Sequence, residues 1–155
     1  MKLHNKLIIK KRGEEYQCFN NLLLPAIEAI QDFSPYTNHI AIGCGVSATV
    51  ERQESLENYI KTYPLVTKSY NFDPAMGELY VTKELVLDAS DRSALEIREL
   101  GLAVSNEASP KIANRFLSNG GEPIYRDPGE EMSFEVTVYL TLGENLSLVP
   151  TLGSL

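Results

Sequence analysis

Glu131-Met132-Ser133-Phe134-Glu135-Val136-Thr137-Val138-Tyr139-Leu140-Thr141-Leu142 is the stretch that decides the fold class. Met132, Phe134, Val136, Val138, Leu140 and Leu142 share one parity; Glu131, Ser133, Glu135, Thr137, Tyr139 and Thr141 share the other. Successive side chains of a strand point to opposite faces, so the run predicts a strand with one buried and one wet face, a period no helix can use. Working outward, Tyr63 to Phe72 and Glu78 to Asp88 alternate less regularly. Asp73-Pro74-Ala75-Met76-Gly77 between them has turn chemistry, which predicts a hairpin. Leu3 to Lys11, with the β-branched pair Ile8 and Ile9, and His39 to Ile42 read as further strands. In Ala94 to Val104, Leu95 and Ile97 share one parity while Leu100, Leu102 and Val104 share the other. A one-residue slip turns every side chain to the opposite face, so a bulge is expected near Glu99 to Gly101, with Gly101 permitting it. Asp88-Ala89-Ser90-Asp91 reads as another turn and predicts a second hairpin.

The N-terminal third shows a different period. After a turn at Gly13-Glu14-Glu15, Phe19, Leu22, Leu23, Ala26, Ile27 and Ile30 recur at steps of three and four, the apolar stripe of an amphipathic helix. Asn20 and Asn21 are candidate caps, and Pro25 is compatible with a helix start, which sets the regular part at Leu24 to Asp32. Arg52 to Lys61 predicts a second short helix, with Leu56 and Ile60 inward and Glu51, Glu54 and Glu57 outward, and a weak helical stretch falls at Ile112 to Leu117. The expected architecture is α+β, mainly β: an antiparallel β sandwich with one or two short N-terminal helices. A single domain is expected over residues 1–143, with a C-terminal arm at residues 144–155.

Composition narrows the function classes. The chain has 155 residues, 43% hydrophobic and 23% charged, which suits one domain with a real core. Its formal net charge of −7 opposes binding to nucleic acid, which depends on lysines and arginines neutralising phosphates. The basic cluster Lys10, Lys11 and Arg12 reads as a solvated strand end. The apolar run Leu7-Ile8-Ile9 is too short for a signal peptide's core, and no run reaches the length that spans a membrane. The cysteines Cys18 and Cys44 form no CxxC pair. The expectation is a protein made and kept in a reducing cytoplasm, or assembled there into something larger, with no nucleic-acid, membrane or small-molecule partner.

Gly43-Cys44-Gly45-Val46-Ser47-Ala48 is a GxGxxA turn after an apolar strand, the order of a dinucleotide-binding turn. Glu51 and Glu54 would crowd the entrance with carboxylates, and the remaining strands alternate as hairpins rather than βαβ units. Glu51, Glu54 and Glu57 read as a solvated charge row, and Glu96, Arg98 and Glu99 as cross-strand pairs on a wet sheet face. Asp88 and Asp91 lack the further oxygens of a calcium loop. His4 and His39 stand on separate strands with no third ligand in view, and no serine lies in GxSxG. These readings give no catalyst, cofactor or metal.

Read together, Ile40-Ala41-Ile42-Gly43-Cys44-Gly45, Ser55-Leu56-Glu57-Asn58, Glu96-Ile97-Arg98-Glu99-Leu100-Gly101-Leu102, Ala113-Asn114-Arg115 and Pro128-Gly129-Glu130 form an ordered series. The series resembles the N-terminal tail-collar type of domain of phage tail-fibre and related virion proteins. Those carry a "(I/V)A(I/V)G-G" turn, a "T-LENE" helix and an "IREVGLF" strand in this order. The likeness covers about Asn38 to Leu142, and Ala103 stands where the family has an aromatic. It implies a structural protein of a tailed-bacteriophage virion, in contact with other virion subunits and with itself as a trimer or ring. With no fibre after Leu155, a tail, baseplate or collar adaptor is expected; a capsid decoration protein or a host-glycan-binding β sandwich are the alternatives. For the last, Tyr59, Tyr63, Tyr70, Tyr80, Tyr125 and Tyr139 could supply a platform. Gly43, Gly45 and Gly101 are the structural turn and bulge positions, and Leu146, Leu148, Val149, Leu152 and Leu155 of the arm are candidate interface residues.

Overall fold

The computed structural model describes residues 2–22, 38–50, 53–73, 75, 77–103, 105–118 and 122–141. Among them the protein is mainly β and holds no helix. The strands are β1 (Lys2–Lys11), β2 (Glu14–Leu22), β3 (His39–Gly43), β4 (Tyr59–Pro64), β5 (Val66–Asp73) and β6 (Glu78–Leu87). They continue as β7 (Leu95–Ile97), β8 (Glu99–Ala103), β9 (Asn114–Leu117), β10 (Ile124–Arg126) and β11 (Met132–Thr141). Nine of them form one sheet in the order β4-β3-β8-β9-β2-β1-β11-β6-β5, β10 pairs with β7, and every described pairing is antiparallel.

The alternation of β11 holds as read. Met132, Phe134, Val136 and Val138 are buried, while Ser133, Glu135, Thr137 and Tyr139 stay partly exposed. β11 sits between β1 and β6, with Val136 opposite Leu7 and Lys83, and Phe134 opposite Ile9 and Leu85. One core unites Leu7, Ile9, Phe134 and Val136 with Ile40, Ile42, Leu100, Leu102 and Phe116 from the other half of the sheet order. Each such side chain contributes roughly 1.5–3 kcal/mol on burial. β2 hands over between the halves: it pairs with β1 through Cys18 and with β9 from Phe19 onward. The two edge strands, β4 and β5, are joined by Leu65 alone, whose amide donates to the Asn38 carbonyl at 2.9 Å. The hairpin expected around Asp73 to Gly77 is present, with Asp73 opposite Glu78, and β5 carries a bulge between Thr67 and Ser69.

Several local expectations are corrected. The first turn is Arg12-Gly13, not Gly13-Glu14-Glu15: Lys11 faces Glu14, and Arg12 and Gly13 have φ of 51° and 78°, as a type I′ hairpin turn requires. Asn20 and Asn21 are strand residues of β2 rather than helix caps, because the sheet partner β9 takes that backbone. The helix expected at Leu24 to Asp32 lies outside the described residues, as do the arm 144–155 and its Leu146, Leu148, Val149, Leu152 and Leu155. The helix expected at Arg52 to Lys61 is replaced by irregular chain over 53–58 and by β4. The amides of Glu57 and Asn58, which a helix would direct to carbonyls four residues back, donate to Glu99 instead. Ile112 to Leu117 is likewise a bridge and a strand, with the Ala113 amide donating to the Leu102 carbonyl.

The parity slip in 94–104 is real, but its site and cause differ from the expectation. The chain breaks at Arg98, where β7 leaves to pair with β10 and β8 turns to β3 and β9. Gly101 lies opposite Ala41 in regular pairing and is not the hinge. A Cβ there would come 2.6 Å from Ile112 Cγ2, so its role is to let Ile112 pack against β8. No β6–β7 hairpin forms, because β7 takes β10 as its partner.

Candidate functional site

Glu99 stands at the start of β8, directly after the break, and is wholly buried rather than on a wet face. One carboxylate oxygen accepts from the amides of Gly45 at 3.0 Å and Asn58 at 2.7 Å. The other accepts from the Glu57 amide at 3.1 Å and from Arg115 Nε at 2.8 Å. Arg115, on β9 and equally buried, donates through Nη1 to the Ser47 carbonyl at 2.6 Å and to Thr49 Oγ1 at 3.2 Å. A buried carboxylate is tolerable only when paired and hydrogen-bonded, and this one has both.

Gly43 and Gly45 are brought together around this carboxylate. A Cβ on either would lie within 2.6–2.7 Å of Glu99 Oε1, so the glycines make room for the anion. The loop that follows is held by a second carboxylate, since Glu57 accepts from the amides of Val46 at 3.1 Å and Ser47 at 3.3 Å. The Ser47 hydroxyl and the two amides hold the Glu57 carboxyl below the usual carboxylate range. Glu57 is therefore a loop anchor rather than part of a solvated helix row. Asn58 Nδ2 donates to Cys44 Sγ at 3.0 Å. Thus fastened, the loop leaves Val46 and Val50 exposed at 63% and 62%.

The arrangement has direct chemical consequences. The amides that a dinucleotide-binding turn would offer to a pyrophosphate are here occupied by the protein's own Glu99 and Glu57. Glu99 accepts four hydrogen bonds and is wholly buried. Sequence reasoning placed Glu99 and Glu57 at the surface and gave Arg115 no role beyond its place in the ordered series. The available signal was the parity slip, which marks Glu99 as the first residue after a change of sheet partner.

A second buried cation fixes the opposite loops. The fully buried guanidinium of Arg126 donates from Nε to the Glu130 carbonyl and from Nη1 to Asp91 Oδ1 and the Ser93 carbonyl. From Nη2 it donates to the Asp88 and Asp91 carbonyls, all at 2.7–3.0 Å. All five N–H groups are thereby used. Burial would raise the Asp91 carboxyl, but bonds from Ser93 and the nearby Lys61 outweigh it and hold it below its ordinary value. The expected turn at Asp88 to Asp91 is therefore cross-linked to a turn at Pro128-Gly129, with the Gly129 amide donating to the Asp91 carbonyl at 2.9 Å.

The tyrosines scatter. Tyr63 is buried, Tyr59 shares a bond with Thr62, and Tyr125 is exposed and donates to Glu96. Tyr80 and Tyr139 lie side by side, and the Tyr70 side chain is outside what the structure describes. Cys18 and Cys44 are free thiols, and burial pushes Cys18 up to about 12. Among the described residues no group of three His, Cys, Asp or Glu is placed to hold a metal, and no helix is long and apolar enough to cross a membrane. No protein-family model matches the chain, and neither a curated protein nor a solved structure matches it.

Proposed function

We propose that this chain is a non-enzymatic structural subunit of a tailed-bacteriophage virion, a tail, baseplate or collar adaptor that works by docking against other polypeptides. In this reading the two halves of the sheet, joined at Cys18-Phe19 and at Leu65, pack face to face as an antiparallel β sandwich within one domain over 1–143.

One observation carries the proposal. The pieces that make up the tail-collar resemblance lie far apart in sequence, yet Gly43, Gly45, Glu57, Asn58, Glu99 and Arg115 from four of them meet at one buried carboxylate. Their joint product is a loop fastened by hydrogen bonds, with Val46 and Val50 outward. A loop ordered before contact loses less conformational freedom on binding, which favours a docking element. The acidic net charge of −7 supports protein partners over nucleic acid. The arm, with Leu146, Leu148, Val149, Leu152 and Leu155, is proposed to extend onto a neighbouring subunit, either another virion protein or a copy of this chain.

Mass spectrometry of density-purified particles from a producing culture tests the proposal. The chain is expected to band with tailed particles, and its absence from them would overturn the reading. Gold-labelled antibody then separates tail from capsid surface, a capsid pattern favouring decoration. Deletion of residues 146–155 is expected to abolish incorporation, and normal incorporation would remove the arm from the proposal.

A further inference from the structure

The outer face of β1, β11 and β6 carries a trough remote from the Glu99 centre. Register sets its floor: Thr137 lies between Lys6 on β1 and Thr82 on β6, and the two threonine hydroxyls share a bond of 3.1 Å. Two residues along β11, Tyr139 faces Tyr80 with ring centroids 5.8 Å apart and planes at 45°. Two residues the other way, Glu135 lies beside Ile8 of β1, and Lys68 donates to its carboxylate at 2.9 Å. These walls stand high enough that Thr82, in the middle of an outward face, is only 7% exposed. They bound an open trough of about 380 Å³, a size found among small-molecule sites.

We propose that this trough is a saccharide subsite that takes one neutral hexose or N-acetylhexosamine ring. Tilted tyrosine rings offer an apolar surface to the C–H side of a pyranose. The sugar's adjacent hydroxyls each need both a donor and an acceptor, and the trough supplies donors from Lys6, acceptors from Glu135 and both from Thr82 and Thr137. A sugar acid or phosphate is disfavoured, because the chain's net charge is −7 and Glu135 lines the same trough. The site is open, so single rings bind weakly, and repeated copies in an assembly would multiply the attachment. The inference stands independently of the virion reading.

The test is saturation-transfer NMR of the full chain with glucose, galactose, mannose and N-acetylglucosamine at millimolar concentration. At least one sugar is expected to receive transfer. Tyr139→Ala and Tyr80→Ala are expected to weaken that binding about ten-fold, while Tyr139→Phe, which keeps the ring, stays near wild type. Melting curves establish that each variant folds, and the near-isosteric Thr137→Val supplies the readout if an alanine variant does not. Absence of transfer to all the sugars overturns the proposal, and so does binding unchanged in every folded alanine or valine variant.

Discussion

Replacing Glu99 by glutamine changes one oxygen to an NH2 group and turns acceptor into donor at half of a closed network. In the native chain both oxygens accept twice, from Gly45 and Asn58 on one side and from Glu57 and Arg115 on the other. A glutamine oxygen can serve one of these pairs, and its amide nitrogen must then face the other, donor against donor. Arg115, wholly buried, also loses the carboxylate it pairs with. Removing one partner of a buried ion pair costs roughly 3–5 kcal/mol, and the misplaced donors fall largely within that figure, so about 4 kcal/mol is expected. For a domain of this size each kcal/mol moves the midpoint by about 2–4 °C, which predicts a Tm lower by about 8–16 °C. Circular dichroism melts at pH 7, checked by urea unfolding, give the measurement. A companion variant, Glu99→Leu with Arg115→Met, sharpens it. Apolar replacement of a buried pair is often neutral, but here the amides of Gly45, Glu57 and Asn58 would still lack an acceptor, so the double variant should remain clearly destabilised. A Glu99→Gln protein melting within about 2 °C of wild type, or a double variant as stable as wild type, would show that the carboxylate does not anchor the loop.

Gly45→Ala puts a Cβ 2.6 Å from Glu57 Cβ and 2.7 Å from Glu99 Oε1; a loss of about 1–3 kcal/mol by urea unfolding is expected. Gly13→Ala meets open space and should lose only about 1–2 kcal/mol, from its positive φ alone. Arg126→Met removes all five guanidinium bonds, and hydrogen exchange should accelerate at the Gly129 and Asp91 amides while those of β11 change least. At pH 8 a thiol reagent should modify half-buried Cys44 first and reach Cys18 only on unfolding. Because burial raises the Cys18 thiol to about 12, the unfolded thiol ionises first. Stability from this group should be intact below the ordinary thiol value and fall as pH rises from there towards about 12; Cys18→Ala should flatten that slope.

The strands with a continuous two-residue period were legible because alternation is a local property: β11 and the β5–β6 hairpin follow from their own residues. β2 is hidden from a local reading because only Tyr16 and Cys18 alternate inward from its first half, whereas Phe19, Leu22 and the residues that follow in sequence keep a helical step. Arg12 gives no sign in the sequence that it takes a positive φ, so residue type alone points to a turn one residue later. Leu56 and Ile60 mimic a helix face, yet Leu56 is buried and Ile60 is 38% exposed, because Glu57 and Asn58 spend their amides on Glu99. That centre could not be read locally. Its amide donors come from two segments, its cation from a third and the carboxylate from a fourth, and a glutamate flanked by Arg98 looks solvated until the partners converge.

The pairing of β1 with β11 governs when the molecule can form. β1 is made before β6, yet the strand that bridges them, Met132–Thr141, is made after both. While residues before Met132 leave the ribosome, the middle of the sheet has a gap one strand wide, and no local hairpin can fill it. Completion therefore awaits synthesis of that strand and a long-range search, which slows folding and leaves the apolar faces of Leu7, Ile9, Leu85 and Leu87 open to chaperones in the interval.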